Sequence, residues 1–213
     1  MMADNSSDTN ELIEEASKGN REKWGVLLAR HRDRLRRMVA LRMDRRLQGR
    51  IDPSDVIQEA SLEASHRFSE YLQNPTMPFF LWLRFLTGQK LLELHRTHLK
   101  AQVRDVGREV SLYHGSLPET TSAALAAHLV GHLTRPSEVA IRAEMKIRLQ
   151  EALNSMGALD REVLSLRHFE HLTNAETARE LGIQEAAASK RYIRALKRLK
   201  EILVSMPGGL GEM

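Results

Sequence analysis

Cysteine is absent from the sequence of 213 residues. Its absence excludes a disulfide framework, a thiolate zinc site and a cysteine nucleophile. Glycine and proline are sparse, with 12 and 6 residues, and aromatic residues make up 5 % of the chain. The chain is instead rich in Ala, Leu, Arg and Glu, which favour helices. The composition therefore predicts an all-α protein, and the length predicts one or two domains.

Long apolar runs are missing as well. No run approaches the roughly 20 residues that a membrane-spanning helix needs. The segment from Met1 to Glu15 is acidic and polar, whereas a signal peptide is basic and then apolar. These features predict a soluble cytoplasmic protein without membrane insertion.

Charge is unevenly distributed, although Lys and Arg total 32 against 28 acids. The segment from Arg30 to Arg50 is dominated by arginine, and the segment from Ala186 to Lys200 contains cations at helical spacing and no acid. Between these blocks, residues 111–134 carry Glu119 as their only full charge, which is typical of a linker. Two basic blocks favour a nucleic-acid partner over a merely solvated helix face.

Local signals predict the helix boundaries. The clearest are Asp52 followed by Pro53, and the Thr173 to Glu176 capping box, because each satisfies free amides at a helix start. The predicted helices run from Asn10 to Lys18, from Asn20 onward, from Pro53 to Gln73, from Pro78 to about Lys100, from Ser137 to about Gly157, from Asp160 onward, from Thr173 to Gly182 and from Glu185 to about Val204.

A helix-turn-helix is predicted near the C-terminus, with Gly182 making the turn after a short helix. One face of the following helix is mainly apolar, and cations predominate on the opposite face, as expected of a helix that enters a major groove. The inward face comprises Ala188, Tyr192, Ala195, Leu196, Leu199 and Leu203, and the outward face Ala186, Lys190, Arg194 and Lys197.

These motifs resemble a known family. Leu159 to Arg167, Thr173 to Gly182 and Ala188 to Leu203 resemble region 4 of bacterial sigma-70 factors of the extracytoplasmic-function class. Asp55 to Ala60 and Phe79 to Arg96 resemble region 2 of the same class. The resemblance implies a factor that binds core RNA polymerase and directs promoter recognition and transcription initiation. It implies a region 2-like helical domain at 10–108, a linker at 109–136 and a region 4-like helix-turn-helix domain at 137–205.

The resemblance also implies residue roles. Core polymerase would be contacted through the clamp helices of its largest subunit and through the β-subunit flap. The clamp-helix contact would use Asp55, Gln58, Glu59 and Leu62; the -10 element would be contacted by Arg84, Gln89, Lys90, Glu93 and Arg96; and the -35 element by Glu185, Ala186, Ser189, Lys190, Arg191, Ile193, Arg194, Lys197 and Arg198. An anti-sigma factor is a further candidate partner, and no cofactor or metal is expected.

Three of these roles have a physical argument of their own. Asp55, Glu59 and Leu62 offer carboxylates and an apolar contact to a basic partner helix, although acids near a helix N-terminus also suit the macrodipole. Lys190 and Arg194 point away from the apolar face toward base edges, whereas Arg191 and Arg198 are placed for phosphates.

In the family, the loop corresponding to residues 73–77 captures a flipped base. Four aromatics, Phe79, Phe80, Trp82 and Phe85, follow that loop. Most of them are expected in the core, while one or two at the helix start could stack on unpaired bases.

The chain departs from the family pattern at two places. Gly88 and Gln89 stand where the family usually has Arg-Asn, and Ser189 and Lys190 stand in the opposite order to the common one. The base preferences of the two promoter contacts therefore do not transfer.

The linker segment is long enough to bridge two promoter contacts. Residues 110–136, about 27 in number at up to about 3.3 Å each, could span about 90 Å as a disordered bridge. Alternatively, residues 123–133 could form a short helix.

Other classes of protein share parts of this pattern. A two-domain helix-turn-helix regulator would share the last third of the chain but would not need the region 2-like block. A polymerase-binding decoy without promoter specificity is a third hypothesis. The histidine pairs His95 and His98, His128 and His132, and His168 and His171 have ligand-like spacing but lack the carboxylate pattern of metalloenzymes. We expect no catalytic activity.

Overall fold

The protein was analysed as a computed structural model that describes residues 4–99, 120–133 and 139–205. The chain divides into two compact units, Met1–Leu117 and Pro118–Met213. Regular structure within the described ranges is helical apart from one isolated bridge between Gln48 and Ile51, which confirms the predicted all-α class. None of the described helices is long and apolar enough to cross a membrane.

The described part of the first unit contains four helices that pack around one another. They are α1 (Asp4–Ser17), α2 (Arg21–Arg42), α3 (Pro53–Gln73) and α4 (Phe79–Leu99). The predicted start of α3 is confirmed, because the Asp52 carboxylate accepts a hydrogen bond of 2.7 Å from the Ser54 backbone N–H. Helix α1 begins earlier than the predicted Asn10, and its end at Gly19 has the left-handed φ of 88° that favours glycine.

The core of the first unit is largely aromatic. Phe79 of α4 has ring contacts with Trp24 of α2, with Tyr71 of α3 and with Trp82, at centroid distances of 6.0, 5.7 and 5.6 Å. Among the arginines of α2, Arg42 is buried. These contacts make α2, α3 and α4 one packed body.

Within its described residues, the second unit contains five α-helices. They are α5 (Ser122–Leu133), α6 (Val139–Asn154), α7 (Ala158–Leu164), which continues into a π-helical turn at Ser165–Phe169, α8 (Asn174–Leu181) and α9 (Glu185–Ser205). Helix α6 ends before the predicted Gly157, because Gly157 instead precedes α7 as its N-cap. Helix α7 therefore starts before the predicted Asp160. The predicted helix start at Ser137 lies outside the described residues.

Helix α5 lies within the segment predicted as a linker. It is the short helix that the sequence leaves open, and it packs against α6 with Leu125, Ala126 and Val130 buried. Just before it, the Thr120 hydroxyl shares a 2.7 Å hydrogen bond with the buried Ser165 hydroxyl. Residues 100–119 and 134–138 lie outside the described ranges, as does the tail after 205, so the domain bounds at 108–109 and 136–137 stay predictions.

Candidate functional site

A shallow groove on the first unit carries all four residues predicted to contact polymerase. Asp55, Gln58, Glu59 and Leu62 line it from α3, together with Leu28 of α2, Ser61 and Ser65. All four are exposed, and Leu62 keeps 60 % of its surface accessible. The four side chains therefore lie on one accessible face, and their contact with polymerase stays a prediction.

The groove is positioned by contacts on the opposite side of α3. Val56, Ile57 and Ala60 are buried, so Asp55 and Glu59 must point outward. At the helix start, the hydrogen bonds from Ser54 lower the pKa of Asp52, and Arg36 and Arg32 lower it further. The helix thus begins at a fixed, ionised cap.

The groove has a chemistry that the helix macrodipole alone does not explain. The dipole favours acids within the first turn, which accounts for Asp55. It gives no reason for an exposed leucine at position 62 beside Glu59. A surface of this kind suits a helix of a partner that offers cations and an apolar side chain.

The predicted -10 residues divide into two groups. Gln89, Glu93 and Arg96 are exposed, and half-buried Lys90 pairs with Glu93 at 3.3 Å. Arg84 is only 1 % exposed, inside the first unit. The sequence expectation for Arg84 is therefore corrected, because a side chain packed in the core cannot reach DNA in this structure. The accessible polar surface is the C-terminal half of α4.

The aromatic side chains in the N-terminal half of α4 pack in the core. Phe79, Phe80 and Trp82 are buried and Phe85 is half-buried, in agreement with the majority expectation. The alternative that aromatics at the start of α4 stack on bases does not fit the burial of Phe79 and Phe80.

Tyr71 is a site residue that sequence reasoning missed. Its hydroxyl donates a 3.0 Å hydrogen bond to the Met77 carbonyl, while its ring stacks on Trp82 at 4.6 Å. This contact anchors the end of the loop between α3 and α4, whose residues Asn74, Pro75 and Thr76 stay exposed. A tyrosine near a helix end offers no sequence signal for such an anchor, because the partner is a backbone carbonyl.

The second unit contains the predicted helix-turn-helix. Both hydrogen bonds of the Thr173–Glu176 capping box are present. The Glu176 backbone N–H donates to the Thr173 hydroxyl at 3.1 Å, and the Thr173 backbone N–H donates to the Glu176 carboxylate at 2.7 Å. Gly182 has φ 61° and ends α8 in a Schellman motif, in which the Ile183 N–H donates to the Ala178 carbonyl at 2.9 Å. These two caps fix both ends of a helix of only 8 residues.

A further contact holds the two helices of the motif together. The Asn174 side-chain amide donates a 2.9 Å hydrogen bond to the Glu185 carbonyl, which joins the start of α8 to the start of α9. Ala178 of α8 and Ala188 of α9 are both buried, and their small side chains let the helices approach closely. The direction of α9 is therefore fixed near its N-terminus.

The outward face of α9 is almost as predicted. Ala188, Ala195 and Leu199 are buried. All the predicted -35 residues except Arg191 are exposed, namely Glu185, Ala186, Ser189, Lys190, Ile193, Arg194, Lys197 and Arg198.

Arg191 is the exception on this helix. It is half-buried and pairs with Asp160 of α7 at 3.3 Å. The sequence places it beside DNA phosphates, but in this structure its guanidinium joins α9 to α7. The remaining cations, Lys190, Arg194, Lys197 and Arg198, are exposed, and such a set suits a phosphate backbone.

The histidine pairs do not form a metal site among the described residues. Within 4–99, 120–133 and 139–205, no three His, Asp or Glu side chains are grouped so that they could hold a metal ion. His95 instead accepts a 3.2 Å hydrogen bond from the Asp44 backbone N–H, and its burial lowers its pKa. His128 packs edge-on against Phe169 at 5.1 Å.

Comparison with known proteins agrees with this arrangement. The profile of the family described as "Sigma-70, region 4" matches residues 146–199. The chain is 27 % identical over 194 residues to the ECF RNA polymerase sigma factor SigD of Mycobacterium bovis, covering 91 % of this chain and 83 % of SigD. It is also 27 % identical over 195 residues to the RNA polymerase sigma factor CnrH of Cupriavidus metallidurans, covering 90 % and 92 %.

A solved structure has a related fold. The structure of CnrH in complex with the cytosolic domain of CnrY aligns with a TM-score of 0.51 at 22 % identity, covering 92 % of this chain and 97 % of that one. At this identity the likeness bears on the fold, and it agrees with the helical architecture of the two units.

Proposed function

The chain belongs to the extracytoplasmic-function class of the sigma-70 family, which acts in transcription initiation, and from this membership we propose that it binds core RNA polymerase and directs it to promoters. The groove on α3 is the proposed contact with the clamp helices of the largest polymerase subunit. The outward face of α9 is the proposed contact with the -35 element. Such a factor acts in the cytoplasm, where polymerase works.

One observation carries the proposal. Two accessible helix faces of opposite charge occur in one chain, an acidic groove with Asp55, Glu59 and exposed Leu62 on α3 and a cationic face with Lys190 and Arg194 on α9. The cationic face suits nucleic acid, whereas the acidic groove would repel it and suits a basic protein helix. A helix-turn-helix regulator would need only the second face.

The proposed -10 surface lies in the first unit. It comprises Gln89, Lys90, Glu93 and Arg96 of α4 and the exposed loop residues 74–76. Arg84 is left out because it is buried. Tyr71 supports this surface by fixing the loop end at Met77 rather than by contacting DNA.

Further protein partners are part of the proposal. CnrH, a relative of this chain, is seen with the cytosolic domain of CnrY, and we propose that this chain too has a protein partner, of the anti-sigma kind. The β-subunit flap is the proposed polymerase contact of the second unit. Asp55 and Glu59 stay exposed in the chain, so the α3 groove is accessible to either a polymerase helix or a competing regulator.

In vitro transcription on a genomic library, with purified core polymerase and with or without the chain, tests the proposal. A factor of this kind produces new transcript starts that share sequence elements near -10 and -35. A regulator without polymerase binding would bind DNA but fail to co-purify with core polymerase. A decoy would co-purify with it and give no new starts.

A further inference from the structure

One large apolar side chain lies in the middle of the cationic face of α9. Ile193 is 64 % exposed, and its neighbours on the outward face include Lys190, Arg194 and Lys197, all of them exposed. Most of this side chain is left uncovered by the fold of the free protein. A partner that covers it would gain the free energy of burying its apolar surface.

The direction of Ile193 follows from the buried residues of the same helix. Ala188, Ala195 and Leu199 mark the inward direction. At 3.6 residues per turn, Ile193 lies about 140° around the axis from Ala188, and Lys197 lies about 180° from it. Ile193 is therefore near the centre of the outward face, where a recognition helix meets base edges, rather than at its flank, where it would meet phosphates.

The surroundings of Ile193 argue against a second protein as the partner. The other exposed large apolar side chain of α9, Val204, is 53 % exposed and stands about 16 Å further along the helix axis. An apolar docking face would need such side chains side by side. Here a single apolar side chain stands beside the exposed cations Lys190, Arg194 and Lys197, which instead attract the sugar-phosphate backbones on both sides of a groove.

We propose that Ile193 contacts the C5-methyl group of a thymine in the major groove and sets a preference for thymine at one position of the -35 element. This inference rests on the proposed function, since it takes the outward face of α9 as the -35 contact. The methyl group of thymine is the only apolar group that a base offers in the major groove. Cytosine at that position has a hydrogen at C5, so the contact with the methyl group would be lost.

Deoxyuridine substitution tests the proposal, because deoxyuridine lacks only the methyl group and keeps the hydrogen-bonding pattern of thymine. Each thymine of the -35 element of a selected promoter is replaced singly, and equilibrium binding is measured with full-length chain and core polymerase. We expect one replacement to weaken binding about three- to fivefold, the effect of about one buried methyl group. The Ile193→Ala variant should weaken binding to the thymine promoter and show no further loss with deoxyuridine at that position.

Three variants serve as controls. Ile193→Val keeps a branched apolar side chain and should retain most of the sensitivity of binding to deoxyuridine replacement. Val204→Ala removes the other exposed apolar side chain of the helix and should leave affinity and sensitivity unchanged. Arg198→Ala should lower binding to both DNAs equally and keep their ratio.

The results separate this inference from the proposed function. Equal binding of all deoxyuridine promoters, or full sensitivity retained in Ile193→Ala, would overturn the role of Ile193 while leaving promoter recognition intact. If the chain directs no initiation, the proposed function fails, and the same series is measured with the full-length chain alone on its selected DNA sites. If it selects no DNA at all, both are wrong.

Discussion

The two units hold their exposed helices in place by different means. In the first unit, large buried rings such as Phe79 and Trp82 pack α2, α3 and α4 together. In the second unit, individual polar contacts recur at helix ends, among them the Thr173–Glu176 box and the Asn174 bond to Glu185. The difference follows helix length, because a helix of 8 residues such as α8 buries too little apolar surface to be stable without its caps.

The same difference predicts how each unit responds to damage. Loss of a ring from the first unit removes many contacts at once and should loosen α3 and α4 together. Loss of one cap from the second unit removes one contact and should mainly fray a single helix. The predictions below test this contrast and the opposite charges of the two faces, from the largest expected effect to the smallest.

The largest effect is expected from Phe79→Ala. Phe79 is buried at the centre of the aromatic cluster, so its truncation should lower the free energy of unfolding of the first unit by about 3 to 5 kcal/mol. Trp24 and Trp82, the 2 tryptophans of the chain, both lie in the first unit. Urea unfolding followed by tryptophan fluorescence therefore reports that unit selectively.

Phe85→Ala is the matched control for Phe79→Ala. Phe85 lies on the same helix but is half-buried. Its truncation should therefore lower the free energy of unfolding clearly less than that of Phe79. Equal losses for both variants would contradict the central role of the aromatic cluster.

The next effect concerns the acidic groove. Asp55→Lys should weaken binding to core polymerase by about 2 to 3 kcal/mol if the carboxylate is paired at a desolvated interface, with little change in fold. Glu22→Lys makes the same charge change at an exposed acid of α2, which does not line the groove. A titration of core polymerase in which both variants bind as tightly as the wild type would refute the assignment of the groove.

The cationic face should respond differently at two arginines. Arg194→Ala should cost about 1 to 3 kcal/mol and relax the preference at one -35 position, because a bidentate donor to guanine would be lost. Arg198→Ala should lower binding about equally on all sequences and reduce the salt slope by about one unit. Site selection with the full-length variants measures both.

The outcome for these two arginines can also contradict our assignment of the helix face that α9 turns toward DNA. If Arg194→Ala leaves the selected motif intact while Arg198→Ala alters it, the helix presents a different face to DNA. Neither variant should change the affinity for core polymerase through the α3 groove, which lies in the other unit.

Local signals made much of this arrangement predictable from sequence. The cap at Asp52, the box at Thr173 and the turn at Gly182 each depend on a few adjacent residues, and all three are present. The outward face of α9 follows from helical periodicity, which depends only on spacing. The groove residues of α3 were instead named through the family resemblance, and their helical spacing agrees with one accessible face.

The misplaced residues depend on distant contacts. Arginine is ordinarily exposed, yet Arg84 is buried in the core of the first unit. Arg191 pairs with Asp160, 31 positions away. The hydrogen bond just before α5 joins Thr120 to Ser165, 45 positions away. A single sequence carries no signal for such pairs, because neither partner is unusual by itself.

A smaller effect is expected at the cap of α8. Thr173→Ala removes the side-chain oxygen that accepts the Glu176 N–H and should lower the stability of the second unit by about 1 kcal/mol. Amide hydrogen exchange at the first turn of α8 measures this fraying directly. Thr173→Ser keeps the oxygen and should restore protection, whereas unchanged exchange in Thr173→Ala would show that the cap contributes nothing.

The smallest effect tests a polar clamp in the otherwise aromatic first unit. The Asp44 carboxylate accepts hydrogen bonds of 3.0 and 2.8 Å from the Arg46 guanidinium and one of 2.9 Å from the Arg46 backbone N–H. Hydrogen bonding to the Arg46 side chain lowers the pKa of Asp44 from 3.8 to about 2. A lowered carboxyl pKa means that the stabilisation is complete above pH 3.8 and is lost as the pH falls through about 2.

The size of this effect is limited by solvent, because the Arg46 side chain is 53 % exposed. We expect the clamp to contribute about 0.5 kcal/mol. The stability difference between wild type and Asp44→Asn, measured by urea unfolding with tryptophan fluorescence, should be constant above pH 5 and shrink as the pH falls toward 3. Arg46→Ala removes the donors and should abolish most of this shrinkage. His95, whose pKa is lowered by burial, loses stabilisation in a separate window as the pH falls below 6.5, so a difference that changes only there would assign the pH dependence to His95 and not to the clamp.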